Sequence, residues 1–112
     1  MKAVNQNNNF LLADNVEVAA AIFDRMKGLL GKKDIPQGYG LLIKKCNSIH
    51  MFFMRFAIDA VFLSKEGEVL HILQNFKPWR ISKVVFGASS ALELPAGTIG
   101  NNVKKGDFIV FK

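Results

Sequence analysis

The apolar residues between positions 16 and 26 have the spacing of an amphipathic helix. They recur at intervals of three or four residues and would share one helical face. They are Val16, Ala19, Ala20, Phe23 and Met26. Asp14, with Glu17 three residues later, resembles a capping box, and Gly28 suits the position just after a helix. The pattern therefore predicts one helix that begins after Asp14 and ends at Gly28.

After a turn-rich segment from residue 31 to residue 40, the apolar spacing becomes that of β-strands. The predicted strands there cover residues 41–43, 49–53, 58–63, 69–76, 91–94 and 108–111. One further strand, residues 10–13, is predicted before the helix. Residues 84–86 fit a short edge strand, and residues 99–103 fit a short helical turn. Lys65, Glu66 and Gly67 predict a hairpin loop, since glycine accepts a positive φ.

These elements predict a mainly β (α+β) fold. We expect a compact antiparallel β-sandwich or barrel-like sheet with one packed N-terminal helix. Residues 49–54 are apolar at nearly every position, which indicates a strand covered on both faces. The Asn-rich residues 1–9 predict a flexible N-terminus, and residues 10–112 predict a single globular domain.

Composition narrows the class of protein. Half of the 112 residues are hydrophobic and ten are phenylalanine, which argues against disorder. A single cysteine excludes an intrachain disulfide framework. The N-terminus lacks the apolar region of a secretory signal, and no segment reaches the roughly 18 apolar residues of a membrane span. We therefore expect a soluble, cytoplasmic monomer without a membrane partner.

The net charge of +6 comes mainly from lysine. Residues 25–45 contain one acid, Asp34, and six basic residues: Arg25, Lys27, Lys32, Lys33, Lys44 and Lys45. Such a segment could bind nucleic acid or an acidic partner, or simply form a solvated face. Nucleic acid is the less expected alternative, because arginine rather than lysine is suited to bidentate phosphate recognition.

The apolar stretch from residue 46 to residue 63 contains isolated polar groups whose burial requires partners. Cys46 and His50 could form a nucleophile and base, but four extended residues separate them by about 13 Å, so a buried structural thiol is the preferred interpretation. If residues 49–53 and 58–63 formed a tight hairpin, His50 would lie opposite Asp59. The alternative is a buried histidine satisfied by the backbone.

Arg55, Asp59 and Glu93 lie in apolar strand contexts, which predicts an internal ion-pair cluster or the polar floor of a ligand pocket. Trp79, between Lys77 and Arg80, could stack a base or sugar at a rim, or close one end of the core. No paired spacing of metal ligands is present, so we expect no metal and no cofactor.

Three groups of residues resemble one known family in their order and spacing. They are residues 28–31 (GLLG); Cys46, residues 49–50 (IH), 53–56 (FMRF), 58–59 (ID) and 61–63 (VFL); and residues 92–97 (LELPAG) with 105–107 (KGD). Residues 10–111 are thus similar to the uncharacterised family catalogued as domain of unknown function 192. Met51 stands where a small hydroxyl residue is usual, and Ala57 where proline is usual. The resemblance implies a compact β-rich fold with a packed helix and no established activity.

The leading hypothesis is a binding module for an unknown small ligand or protein partner. Its site would be lined by His50, Arg55, Asp59 and Glu93, with Trp79 near the rim. One alternative is a hydrolase-like enzyme that uses His50 with Asp59 or Glu93. Another is a nucleic-acid or acidic-partner binder that uses residues 25–45.

Overall fold

The computed structural model describes residues 1–19, 35–51 and 54–112, and all regular elements in these ranges are β-strands. The strands are β1 (Ala3–Asn5), β2 (Leu11–Ala13), β3 (Asn15–Ala19), β4 (Tyr39–Lys44), β5 (Ile58–Leu63), β6 (Val69–Phe76), β7 (Ser90–Pro95) and β8 (Ile109–Phe111). They form a three-stranded sheet in the order β2-β1-β8 and a five-stranded sheet in the order β3-β4-β7-β5-β6. Strands β3 and β4 are parallel, and the other pairs are antiparallel.

Each face of the five-stranded sheet carries its own hydrophobic core. We call the core toward the three-stranded sheet the inter-sheet core. It includes Leu42, Val61, Leu63, Leu92, Leu94, Ile99 and Ile109. We call the core on the other face the outer core. It includes Leu41, Ile43, Cys46, Ile49, Met51, Ile58, Ala60, Phe62, Val85 and Ala91. Alternate residues of one strand enter different cores, so every residue of β5 is buried, as expected for a strand covered on both faces.

The prediction of an N-terminal helix is wrong for residues 15–19, the part of that helix that the structure describes. Asn15–Ala19 forms β3, which pairs in parallel with β4, and the rest of the predicted helix lies outside the described residues. Val16 packs in the inter-sheet core and Ala19 in the outer core. Three residues apart on a strand, they face opposite ways, yet the same spacing on a helix would place them on one face. In this edge strand the two buried residues lie on opposite faces of the sheet. Their spacing is therefore the same as that of two residues on one face of a helix.

The prediction of a β-rich fold is confirmed, and several strands have the expected positions. Residues 58–63 and 69–76 form β5 and β6, joined by a hairpin in which Gly67 has a φ of 91°. Other short elements differ from their predictions. In the described part of residues 49–53 only an isolated bridge at His50 forms, residues 84–86 form no strand, and residues 99–103 form a turn rather than a helix. Residues 3–5, in the segment predicted to be flexible, form β1 between β2 and β8.

Candidate functional site

The two carboxylates that were predicted to form one cluster project from opposite faces of the five-stranded sheet. Asp59 lies opposite Leu94, an inter-sheet residue, and Glu93 lies opposite Ala60, an outer-core residue. Both carboxylate residues are fully buried. Arg55, the expected cation between them, is exposed. The predicted cluster of Arg55, Asp59 and Glu93 therefore does not form.

Asp59 holds two irregular parts of the backbone together. Opposite Asp59, strand β6 contains a bulge, because Ile58 pairs with Phe76 whereas Ala60 pairs with Leu73. The N–H of Asn75 in this bulge donates to Oδ1 of Asp59 at 2.9 Å. The N–H of Ile99, in the loop after β7, donates to Oδ2 at 2.9 Å. Both carboxylate oxygens thus accept hydrogen bonds from backbone amides.

Glu93 faces the outer core from the centre of the sheet, between Leu41 of β4 and Ala60 of β5. Its charge acts on Tyr39, which packs against the same core. Burial is the largest cause that raises the pKa of the Tyr39 phenol above 10.0, and the negative charges of Glu17 and Glu93 raise it further. On the outer face, the negative charges of Glu17 and Glu93 thus make it less favourable for the Tyr39 phenol to ionise.

His50 and Trp79 belong to the chain segments that cover the outer core. His50 forms an antiparallel bridge with Ile81, so the predicted register that placed it opposite Asp59 is wrong. Trp79 is 60% exposed, with a φ of 67°. Cys46 is buried, as the structural interpretation predicted, and its thiol donates to the Ser48 carbonyl at 3.1 Å. With Asp59 and Glu93 on different faces, no single site contains all five predicted residues.

The structure brings together a different set of polar residues, at one open end of the space between the two sheets. A cavity of about 390 Å³ lies there, which we call the lysine groove. Its lining is Leu42, Lys44, Lys45, Leu63, Ser64, Lys65, Glu66, Gly67, Ser89, Ser90, Ile109 and Phe111. Three neighbouring strands contribute to this lining, because Ser90 of β7 lies opposite both Lys44 of β4 and Leu63 of β5.

The β5–β6 hairpin forms one wall of the lysine groove and is clamped against β8. The hydroxyl of Ser64 accepts hydrogen bonds from the N–H groups of Glu66 and Glu68 at 3.2 and 3.1 Å. The Ile109 N–H donates to the Gly67 carbonyl at 2.9 Å, and a Cβ at position 67 would come within 2.7 Å of the Ile109 oxygen. Glycine is thus required at position 67 for close approach as well as for its positive φ.

The chemistry of the lysine groove combines an apolar floor with a cationic rim. Leu42, Leu63 and Ile109 are at most 5% exposed and form the floor. Lys44, Lys45 and Lys65 are exposed at the mouth, where Glu66 is the acidic residue. Ammonium groups and serine hydroxyls can donate hydrogen bonds to an anion, while the floor accepts an apolar body. Among the described residues, no group of three or more His, Cys, Asp or Glu side chains could hold a metal ion.

Sequence reasoning missed the lysine groove because its residues come from four distant segments of the chain. Lys44 and Lys45 entered the prediction only as part of the basic segment 25–45. The available signals were the ends of strands: a Lys-Lys pair at the end of β4, a Ser-Lys-Glu-Gly turn after β5 and a Ser-Ser pair at the start of β7. Only the sheet order β4-β7-β5 makes these ends neighbours.

Comparisons with known proteins agree on a family without a described function. Residues 3–111 match the model of the DUF192 family, described as "Uncharacterized ACR". A UPF0127 protein of Thermococcus sibiricus is 32% identical over 95% of this chain and 71% of its own length. A UPF0127 protein of Pyrococcus horikoshii is 34% identical over 84% of each chain.

Two solved structures share the fold at low sequence identity. One is a protein of unknown function from Novosphingobium aromaticivorans, with a TM-score of 0.80 and 16% identity over 98% of this chain and 82% of that one. The other is described as a candidate transcription regulator of Sinorhizobium meliloti, with a TM-score of 0.74 and 21% identity over 97% of this chain and 89% of that one. At these identities the likeness concerns the fold alone.

Proposed function

The chain belongs to the uncharacterised DUF192 family, and we propose that it is a binding module for a small organic anion held in the lysine groove. The ligand class is a carboxylate or phosphate monoester with an apolar body. The observation that carries this proposal is the row formed by Lys44, Ser90 and Leu63 on three adjacent strands. It sets a cation at the mouth of the cavity, a hydroxyl beside it and an apolar side chain of the floor next to that hydroxyl.

The charge at the mouth supports an anionic ligand. Three lysines and one glutamate line the cavity, a local excess of two positive charges. Each exposed ammonium group attracts an anion only weakly, by about 0.2–1 kcal/mol, so a useful affinity needs several of them together with apolar contact. Ser89 and Ser90 are half-buried beside the lysines and add hydroxyl groups that an anion can contact.

The size of the cavity supports a small ligand. Ligand pockets commonly have volumes of about 300–1,000 Å³, and 390 Å³ lies near the lower end of that range. The hairpin that forms the wall is held by hydrogen bonds that the Ser64 hydroxyl and the Gly67 carbonyl accept, so little ordering should accompany binding. The five residues predicted from sequence, among them His50 and Asp59, are not among the residues that line this groove.

The test is an NMR titration of the isotopically labelled chain with hexanoate, 1-hexanol and hexylammonium. These probes share an apolar body and differ in charge. We expect hexanoate to shift the backbone amide signals of residues 44–45, 63–67 and 89–90 in a saturable manner. Hexanol should bind more weakly, and hexylammonium should not bind measurably. Equal binding of the three probes, or shifts confined to residues away from the groove, would contradict the proposal.

A further inference from the structure

A second surface has an inverted pattern of polar and apolar residues. In residues 77–86, which we call the 77–86 loop, the inward-facing Ser82 is only 9% exposed. Its hydroxyl accepts a hydrogen bond from the Ile49 N–H and donates to the Lys83 carbonyl, both at 2.9 Å. Four large apolar side chains of the same loop lie outside. They are Trp79, Ile81, Val84 and Phe86, exposed by 60, 64, 53 and 91%.

The backbone of the 77–86 loop is held in place while these side chains point outward. The N–H groups of Ser82 and Val85 donate to the carbonyls of Ile49 and Asn47, each at 2.8 Å. The Met51 N–H donates to the Arg80 carbonyl at 2.7 Å. Since Val85 also packs into the outer core, the exposed apolar groups belong to an ordered scaffold. The core does not explain their apolar character.

All charged residues of the 77–86 loop are positively charged. Lys77, Arg80 and Lys83 alternate with the apolar residues, and all three are exposed. No aspartate or glutamate occurs from residue 69 to residue 92. The surface is therefore complementary to a partner that is negatively charged at its boundary and apolar beneath it.

We propose that the 77–86 loop docks on the surface of an anionic lipid bilayer. Tryptophan and other large apolar side chains enter the boundary between headgroups and acyl chains, while lysine and arginine contact anionic headgroups. Phe86 protrudes from the surface, and a bilayer accommodates a protruding group without a matching pocket. Such peripheral contact needs no membrane-spanning segment, and within the described residues no helix has the length and hydropathy to cross a bilayer.

The test uses vesicles of phosphatidylglycerol with phosphatidylcholine, compared with vesicles of phosphatidylcholine alone. Trp79 is the single tryptophan of the chain, so its fluorescence reports on the loop itself. We expect a blue shift of Trp79 emission and co-sedimentation with the anionic vesicles, both reduced by salt because exposed charges are screened. No shift and no co-sedimentation at low salt would overturn the proposal.

Two sets of variants separate this surface from general charge attraction. Lys77→Gln/Arg80→Gln/Lys83→Gln should weaken the partition into anionic vesicles by on the order of 100-fold, since each cation near such a surface contributes about 1 kcal/mol. Phe86→Ser should weaken it about tenfold through lost apolar contact. Lys44→Gln/Lys45→Gln/Lys65→Gln, with the same charge change at the lysine groove, should leave vesicle binding largely intact.

Two other outcomes would overturn the bilayer proposal. If the two triple variants lose vesicle binding equally, the attraction is non-specific and the proposal fails. If vesicles do not bind but the chain self-associates and Phe86→Ser abolishes this association, the loop docks on a second copy of the chain. That result also overturns the bilayer proposal. Circular dichroism of each variant checks the fold, and every substituted side chain is exposed.

Discussion

The two faces of the five-stranded sheet are covered in different ways, and each covering gives rise to a different surface. The inter-sheet face packs against the regular sheet β2-β1-β8 and ends in the lysine groove. On the outer face, the chain that packs there among residues 35–51 and 54–112 is irregular between the strands and includes the 77–86 loop, fixed at inward residues such as Ser82. A regular layer thus leaves its cavity at the open end, whereas an irregular layer can turn side chains outward between its anchors.

The largest effect is expected from Asp59, the buried carboxylate on the inter-sheet side. Asp59→Ala leaves the N–H groups of Asn75 and Ile99 without their acceptor. A buried amide left unsatisfied costs about 1–3 kcal/mol. The Ile99 N–H is buried whereas Asn75 is exposed and its N–H can bond to water, so we expect a loss of about 3 kcal/mol in the free energy of unfolding. Urea denaturation measures this loss. Asp14→Asn, at an exposed position, is the control for removing one negative charge, and a loss under about 1 kcal/mol for Asp59→Ala would show that Asp59 is no clamp.

Ser82 is the corresponding polar anchor on the outer side, with one inward hydrogen bond to the backbone instead of two. Ser82→Ala removes the acceptor of the Ile49 N–H, and we expect a loss of about 1–2 kcal/mol by the same denaturation experiment. Ile81→Ser, one residue away but 64% exposed, should change stability by less than about 0.5 kcal/mol. If the reverse order were observed, Ile81 rather than Ser82 would anchor the loop.

Acid should weaken the outer side through His71, which lies opposite Phe62 with ring centroids 6.1 Å apart. Burial, and then the charges of Lys83 and Lys105, lower the pKa of His71 below 6.5. The unfolded chain therefore binds the proton first as the pH falls. The stabilising contribution of neutral His71 is complete above the unfolded pKa and is lost as the pH falls through that value toward the folded pKa.

The measurement for His71 is the difference in unfolding free energy between about pH 7.5 and about pH 5.5. We expect wild type to lose more stability on acidification than His71→Gln, and the comparison cancels groups that titrate in both proteins. Equal losses in the two proteins would show that His71 titrates alike in the folded and unfolded chains.

The smallest effect is a change in the titration of Tyr39, the single tyrosine of the chain. Glu17→Gln and Glu93→Gln each remove a charge that raises the pKa of Tyr39, so each should lower that pKa, Glu17→Gln the more. Because burial is the largest cause, the pKa should remain above 10.0 in both variants. Ultraviolet absorbance of tyrosinate follows the titration. An unchanged pKa in Glu93→Gln would place its carboxylate too far from Tyr39 to act.

The local pattern of the sequence predicted those strands that consist of one apolar run with turn residues at both ends. Strands β5 and β6 were predicted with the observed bounds because turn residues delimit both apolar runs. Strand β3 was not predicted, since Val16 and Ala19 enter different cores and their spacing imitates a helix. The sequence could not show that β3 pairs with β4, some twenty residues away.

For the two buried carboxylates, burial could be predicted from the sequence, but the face of the sheet on which each lies could not. Burial of Asp59 and Glu93 was predictable from their apolar neighbours, and both are fully buried. Their separation depends on the register of β5 against β7, which places Asp59 opposite Leu94 and Ala60 opposite Glu93. Shifting a register by one residue exchanges the two faces of a strand, and nothing local to either carboxylate specifies that register.

Calorimetric affinities of hexanoate and 1-hexanol show whether the lysine groove binds a small organic anion. The proteins to compare are wild type, Lys44→Gln/Lys45→Gln/Lys65→Gln and Lys77→Gln/Arg80→Gln/Lys83→Gln. We predict that the groove variant alone loses about tenfold in hexanoate affinity, so that hexanoate then binds no better than hexanol. Hexanoate affinity that is unchanged in the groove variant, or reduced equally in both variants, would contradict anion binding in the lysine groove.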